Sequence, residues 1–399
     1  MNSQSVALLT EEFPPFAFGG IASFCNDLAH HLSQKGVPTT VFSGRSKKIA
    51  EEKINDYLKI VRLPCFDFVP RFFWFQFLNS STLLRLLRDY TVIHCVNPQV
   101  SLIGAYAKTK LKKPLVTSFH GVPVHELKIF SDSPLSYWTA GDFGYNVLEY
   151  PLNEFFIRTG LAHSDSIITC SHTTLSELRN KYRRPCIDNA SVIYNGVNLH
   201  EINRLNDTVK SNNEDNQTLI YCGRLYWLKG IVYLIKAFEL LSPEFPSLRL
   251  KILGEGPLKN RIRALASNMG LSDRIEILGQ VPHTQALTEI IKADIAVFPS
   301  LHEAQPIAVL EAMACKKPVV VFDFDFAREY VKDQFNGLLA KPQDARDLAD
   351  KIRMLLSDKK LRLRLGKNAY QYVGRTHNWD TLIHKYIEVY QNVADALPH

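Results

Sequence analysis

The segment Ser300-Leu301-His302-Glu303-Ala304-Gln305-Pro306-Ile307 leads into a run that stays apolar as far as Cys315, apart from Glu311. Pro306 suits the first position of a helix, because the N–H it lacks would have no intrahelical partner there. A carboxylate in a buried apolar helix is costly unless something hydrogen-bonds it. Ligand hydroxyls would serve, and so would a neighbouring helix end or a basic side chain. Glu303 lies eight residues earlier, in the preceding loop. Eight helical residues span about 12 Å, less where the loop shortens the path. That is close to the distance between ribose and hexose in an extended sugar nucleotide. A diphosphate between them would lie over a helix N-terminus, which attracts anions.

Three other loops follow apolar runs. Gly223-Arg224-Leu225-Tyr226-Trp227-Leu228-Lys229-Gly230 comes after a run ending at Cys222. Cations at a helix N-terminus oppose the macrodipole. Arg224 and Lys229 fit that place if they flank a bound phosphate; otherwise they are solvated surface charges. Pro14-Pro15-Phe16-Ala17-Phe18-Gly19-Gly20 either lets bare backbone approach an anion at a helix start or makes a tight turn. It is not G-x-G-x-x-G, so the dinucleotide fingerprint is absent. Ser118-Phe119-His120-Gly121 ends an apolar run, which sets His120 at the edge of a cleft or makes it a structural histidine.

Parallel strands alternating with helices would position these loops. Short apolar runs and longer amphipathic stretches alternate along the whole chain, the pattern of β-α-β units. In the first half, strands are expected at Val6–Thr10, Thr39–Ser43, Thr91–Val96, Leu115–Phe119, Ser166–Cys170 and Ser191–Tyr194. The second half starts again with Thr218–Cys222, Leu248–Leu253, Ile275–Leu278, Ala293–Pro299, Pro318–Phe322 and Gly337–Ala340. Between the halves, Asn203–Gln217 is polar and without apolar periodicity, and reads as a linker or long surface loop. The last stretch, Trp379–Val393, has a helical apolar stripe.

With 399 residues, 46% hydrophobic and 22% charged, the chain is long enough for two or three cores and is neither disordered nor fibrous. Lys and Arg number 47 against 40 Asp and Glu, a net +7. Residues 1–198 hold 20 against 16 and residues 199–399 hold 27 against 24, so the surplus is spread over both halves. It suits anionic small molecules or an acidic membrane surface as well as nucleic acid, and no nucleic-acid module supports the last. Seven cysteines without a C-x-x-C pair point to reduced thiols in a cytosol rather than disulfides or zinc. The N-terminus reads too short and acidic for a signal peptide, and no uncharged run approaches the roughly 18 residues of a membrane span. A cytoplasmic protein, or one peripheral to the inner face of a membrane, is expected.

Taken in order, these motifs resemble the retaining glycosyltransferases of the GT-B fold, glycosyltransferase family 4. The resemblance runs from Pro14-Pro15…Gly19-Gly20-Ile21 through His120-Gly121, Asn195-Gly196-Val197 and Gly223-Arg224-Leu225…Lys229-Gly230. It continues through Gly254-Glu255-Gly256-Pro257 to Glu303-x7-Glu311-Ala312-Met313-Ala314 and Asn336-Gly337-Leu338-Leu339. The implied fold is α/β, with two facing Rossmann-like domains, an interdomain cleft and a C-terminal helix returning to the N-terminal domain. Residues 1–200 with 377–399 would bind acceptor, and 201–376 the donor.

The implied reaction moves a hexose from a UDP- or GDP-linked sugar to a glycan or lipid-linked acceptor. It would serve cell-surface polysaccharide, glycoprotein-glycan or glycolipid synthesis, with no cofactor and no metal. By resemblance, Arg224 and Lys229 neutralise the leaving diphosphate, Glu303 holds the transferred sugar and His120 lies beside it. Glu311 takes the ribose, Gly19 and Gly20 close over the phosphates, and backbone near Gly254 and Val281 takes the base. Gln305, Pro306 and Ile307 complete the donor site. This chain has Glu303-Ala304 where the family often has Glu-Gly, and Asp325-Phe326 before Glu329 where it has Gly-Gly, which bears on the donor sugar. A sugar-nucleotide epimerase of the same fold and a non-catalytic sugar-nucleotide-binding protein are the competing readings. The first needs further acids or bases around the hexose, and the second leaves the retained His120, Arg224, Lys229 and glutamates without a use.

The most aromatic stretch, Phe66–Leu78, either lines a lipid-acceptor groove or anionic-membrane contact, helped by Lys108, Lys110, Lys112 and Lys113, or packs in the core.

Overall fold

The computed structural model describes residues 4–15, 19–46, 48–66, 70–122, 149–209 and 217–396. Phe16–Phe18 of the first glycine loop, Asp67–Val69 of the aromatic stretch and residues 210–216 of the expected linker lie outside the described residues. The chain divides into two compact units. In the first are the described residues up to Val122, those from 149 to Gly196 and those from Trp379; Val197–Asn378 form the second. Val197 is tied to the second unit by its N–H, which donates to His377 O at 2.8 Å, and by a bridge to Asn378.

The strands of the first unit are β1 (Val6–Leu9), β2 (Thr39–Ser46), β3 (Ala50–Lys53), β4 (Leu58–Pro64), β5 (Val92–Cys95), β6 (Leu115–Phe119), β7 (Ser166–Thr169) and β8 (Ser191–Val192). They lie in the order β3-β4-β2-β1-β5-β6-β7-β8. Every pairing is parallel except β3 with β4. In the second unit, β9 (Thr218–Cys222), β10 (Arg249–Leu253), β11 (Ile275–Gly279), β12 (Ile295–Phe298), β13 (Val319–Phe322) and β14 (Leu338–Ala340) form an all-parallel sheet ordered β11-β10-β9-β12-β13-β14. Central strands such as β1, β5, β6 and β12 are buried along their whole length, as parallel strands covered on both faces must be. Strand order reverses at β1 in one sheet and at β9 in the other, the position where such sheets open a crevice beyond their carboxyl ends.

Strands β3 and β4 are absent from the sequence expectation. β3 is wholly exposed, with three of its four residues charged, a sheet edge with no apolar pattern to betray it, although the apolar Leu58, Ile60, Val61 and Leu63 of β4 are all buried and readable. The expected linker is also shorter. A helix, Leu199–Thr208, takes its first part, capped by the Asn198 side chain accepting from Glu201 N–H and seated through Ile202. Pro306 is the cap of the helix Ile307–Ala314 rather than its first residue, with ψ at 111°. All seven cysteines are free thiols. Among the described residues no helix is long and apolar enough to cross a membrane.

The last helix, Trp379–Asp395, returns to the first unit and buries Trp379, Leu382, Ile383, Tyr386, Val389, Tyr390 and Val393 there. Trp379 stacks on His31 with centroids 5.3 Å apart, and a Cβ on Gly196 would fall 2.7 Å from its indole. The Tyr390 hydroxyl hydrogen-bonds His94 Nδ1 at 2.7 Å, and His94 Nε2 pairs with the Ser118 hydroxyl at 2.7 Å. Burial, with His120 nearby, pushes His94 from 6.5 down to about 3. An unfolded chain binds that proton near 6.5 and the folded chain does not, so stability present above 6.5 is lost as pH falls toward 3. Between pH 7 and 5 this one histidine should cost about 2 kcal/mol. Urea unfolding of His94→Gln should show a pH dependence shallower by that amount over the same interval.

Candidate active site

Strands β9 and β12 carry no charged side chain, so the charged groups that follow them begin where the chain leaves the sheet. In the second unit the loops there meet main chain to main chain. Gly223 N–H donates to Leu253 O at 2.9 Å, Leu225 N–H to Glu255 O at 2.8 Å, Gly254 N–H to Gly279 O at 2.8 Å and Leu301 N–H to Leu228 O at 2.8 Å. Two glycines permit this approach. A Cβ on Gly254 would lie 1.9 Å from Gly223 O, and one on Gly230 would lie 1.7 Å from Pro299 O. Gly230 also has φ +63°, which lets a short turn at Trp227–Lys229 pass directly into the helix Ile231–Leu241.

The side chains of these clasped loops converge. Lys229 Nζ lies 2.5 Å from Glu303 Oε1, and the Ser300 hydroxyl donates to the same oxygen at 2.9 Å. Both charged side chains are partly covered, 27% and 13% exposed, so their attraction is less screened than that of a surface pair. Arg224 is exposed, with its guanidinium 4.3 Å over the Tyr226 ring. The buried Tyr221 hydroxyl donates to Arg224 O at 3.0 Å. Burial drives that phenol well above its ordinary range, Glu303 adds to the rise and Arg224 opposes it, so both charges act on one hydroxyl.

Glu311, recessed at 15% exposure on the helix Ile307–Ala314, accepts from His283 Nε2 at 2.6 Å. Of the partners the sequence left open, a basic side chain is present. After burial, Glu311 is the next cause of the raised thiols of Cys222 and Cys315, which sets the carboxylate beside the end of β9. Gln305 is buried, while Pro306 and Ile307 are half-buried at a helix N-terminus that no side chain caps. Val281 packs half-buried on the core next to Gly279.

In the first unit, Gly19 caps the helix Gly20–Gln34 without a side-chain hydrogen bond. A Cβ on Gly20 would meet nothing within 4 Å, so packing does not demand glycine there. His120 follows β6 and sits edge-on to Phe24 at 4.4 Å. Among the described residues its covered Nε2 has no hydrogen-bond partner, and burial pushes the ring down to about 4 while main chain at Val96 pulls the other way. Near neutral pH it is an uncharged imidazole.

Residues 203–372 match the family model described as Glycosyl transferases group 1, and residues 18–201 the one described as Glycosyltransferase Family 4. The chain belongs to this glycosyltransferase family. It is 28% identical to an uncharacterized glycosyltransferase of Methanocaldococcus jannaschii, over 98% of this chain and 99% of the relative. Sucrose-phosphate synthase from Thermosynechococcus elongatus shares its fold with a TM-score of 0.83 at 21% identity, covering 99% of this chain and 100% of that one. Anabaena HepE in complex with UDP-glucose shares it at 0.73 and 17%, covering 97% and 99%. The architecture is therefore that of a GT-B glycosyltransferase.

Several contributors to this glycosyltransferase's polar clusters were not legible as motifs. His283 is the first residue of the helix His283–Lys292, an ordinary polar residue until the fold sets it against Glu311. Glu11 lies just beyond β1, where Asn97 donates to it at 3.1 Å. Burial, then Glu12, push its carboxyl up to about 7, against the pull of Asn97 and Arg71. An acidic pair directly after an apolar strand was the available signal. The aromatic stretch divides between buried and exposed residues. Phe72 and Phe75 are buried, Phe73 and Trp74 half-buried, and Phe77 is 66% exposed. Phe73 and Phe77 line an apolar groove of about 340 Å³ with Leu102, Ile103, Tyr106 and Phe156. Lys108, one of the lysines expected to assist a membrane contact, is paired with Asp165 at 2.6 Å.

Gly230→Ala should destabilise the enzyme by about 2–4 kcal/mol, through both the clash and the positive φ. Gly20→Ala, with open space at its Cβ, should leave the thermal midpoint unchanged or slightly raised. Calorimetry of the two variants compares them directly.

Proposed function

We propose that this glycosyltransferase moves a hexose from a UDP- or GDP-linked sugar to a glycan or lipid-linked acceptor, with retention of configuration and without a metal. The Lys229–Glu303–Ser300 cluster, with Arg224 exposed nearby, carries this reading. Breaking the bond between the anomeric carbon and the diphosphate oxygen leaves an oxocarbenium-like sugar and a departing anion. Fixed positive charge on that anion is the largest electrostatic need of the step. Lys229 is already oriented by Glu303, and Arg224 adds a fork of N–H donors suited to phosphate oxygens. The remaining acceptor sites of Glu303 take hydroxyls of the transferred sugar. A neutral His120 offers that sugar a hydrogen bond without adding repulsion to the developing cation. Bare backbone at Gly19 and Gly20 serves the phosphates. The UDP-glucose complex of a protein of the same fold supports the donor class.

On the acceptor side, Leu102, Tyr106 and Lys110 follow one another at four-residue spacing on the helix Ser101–Leu111, with Lys112 and Lys113 just beyond. An apolar groove that runs into a basic helix end suits an amphiphilic acceptor and peripheral contact with an anionic membrane. The product class is then a cell-surface polysaccharide, glycoprotein glycan or glycolipid.

A panel of nucleotide sugars, read by binding and slow hydrolysis, tests the donor site. Arg224→Ala and Glu303→Ala should each lower kcat about 10²-fold or more, with EDTA leaving the wild-type rate unchanged. Absence of binding by every nucleotide sugar, or variants that match wild type, would overturn the assignment. For the membrane contact, phosphatidylglycerol vesicles should float the protein in a salt-sensitive manner, and Phe77→Ser with Tyr106→Ser should abolish flotation. A wild-type protein that stays with the buffer at low salt removes that part of the reading.

A further inference from the structure

We propose that His283 is a positioning residue that holds Glu311 in the orientation needed to read a ribose diol, and so makes the enzyme discriminate ribonucleotide from 2′-deoxyribonucleotide ligands. The inference rests on the donor reading above and adds to it a residue outside every motif that carried that reading.

The geometry is specific. A carboxylate oxygen only accepts, so the 2.6 Å contact is a bond from His283 Nε2–H to Glu311 Oε1. It joins the first residue of the helix His283–Lys292 to the fifth of the helix Ile307–Ala314, two rigid elements that pack on each other. A glutamate side chain is otherwise free to turn about its terminal bonds. Anchored through one oxygen to a second helix, its carboxylate plane is defined before any ligand arrives. The exposures differ in the useful sense. Glu311 is recessed at 15% and His283 stands half in solvent at 52%, so the imidazole bears on the carboxylate while contributing little to the core.

A ribose presents two adjacent hydroxyl donors. A carboxylate of fixed direction can accept from both, because each oxygen keeps lone-pair capacity beyond the histidine bond. Removing the 2′-hydroxyl leaves a recessed charged acceptor short of a donor, which is the costly case. A carboxylate released from His283 can turn toward water instead, and the missing hydroxyl then matters less. His283 thereby sets selectivity at the sugar of the nucleotide rather than at its base or phosphates.

The test is calorimetric binding of UDP and 2′-deoxy-UDP, and of GDP and 2′-deoxy-GDP, to wild type, His283→Ala, His283→Gln and Glu311→Ala. For whichever base binds, wild type should favour the ribonucleotide by about tenfold, the value of one hydrogen bond to a charged group. His283→Ala should weaken the ribonucleotide about tenfold and leave the deoxynucleotide nearly unchanged, which collapses the ratio. His283→Gln, whose amide N–H can still donate, should restore part of it. Thermal midpoints of both His283 variants should match wild type, which separates positioning from a structural role. If His283→Ala keeps the wild-type ratio, or binds the ribonucleotide more tightly, while Glu311→Ala loses the ratio, the inference fails and the donor reading stands. If Glu311→Ala also keeps wild-type affinity and ratio, the donor reading itself fails.

Discussion

Main-chain contact between loops is the constraint on which the second unit's charged cluster depends. Gly230 lies so close to Pro299 O, and Gly254 so close to Gly223 O, that no other side chain fits at either place. Because these loops meet through backbone, their larger side chains are turned out of the contact. The clasp that joins Leu301 N–H to Leu228 O is the same one that sets Lys229 and Glu303 at salt-bridge distance. Loosening it would cost more than stability, since the cation would lose the carboxylate that orients it.

The first unit has ion pairs too, such as Lys108 with Asp165, but adds a second device. Burial works against charge on polar groups near its sheet: His94 is pushed down to about 3, His120 to about 4, and the Glu11 carboxyl up to about 7. The returning helix belongs to that design. Its Tyr390 hydroxyl satisfies His94, and its Trp379 closes over His31 and Gly196. A buried histidine with both nitrogens bonded is stable only while uncharged, so this unit loses stability in acid. The second unit keeps its ions in pairs, such as Lys229 with Glu303, and so retains charge for chemistry.

Much of this was legible in the residues. Fourteen strands are present among the described residues, and the two that escaped, β3 and β4, form an antiparallel edge pair whose outer strand is charged at three of its four residues. Edge strands are specified by pairing with a neighbour rather than by burial, so apolar pattern says little about them. The helix Leu199–Thr208 hid in a polar stretch for a related reason: only Ile202 is fully buried, with a side-chain cap, the half-buried Leu199 and Leu205 and a hydrogen bond from Tyr370 to Asn203 completing its hold. The aromatic stretch could not be divided in advance into core and surface, because Phe72 and Phe75 differ from Phe77 only in which neighbours their helix face meets.

By itself the sequence determined that the chain is an alternating α/β protein, which loops carry charge, and, through the spacing of Glu303, Glu311, Arg224 and Lys229, which family it resembles. Those features are local: apolar runs, helix starts and glycines are written in consecutive residues. Only the tertiary structure decided that Glu303 is held by Lys229 and Ser300, that Glu311 is held by His283, and that Glu11 is pushed toward neutrality beside Asn97. Those pairings join residues 74, 28 and 86 positions apart in sequence (Ser300 alone is local), and their strength depends on how much water the folded chain excludes around them. Neither distance nor dielectric exists until the sheets have formed.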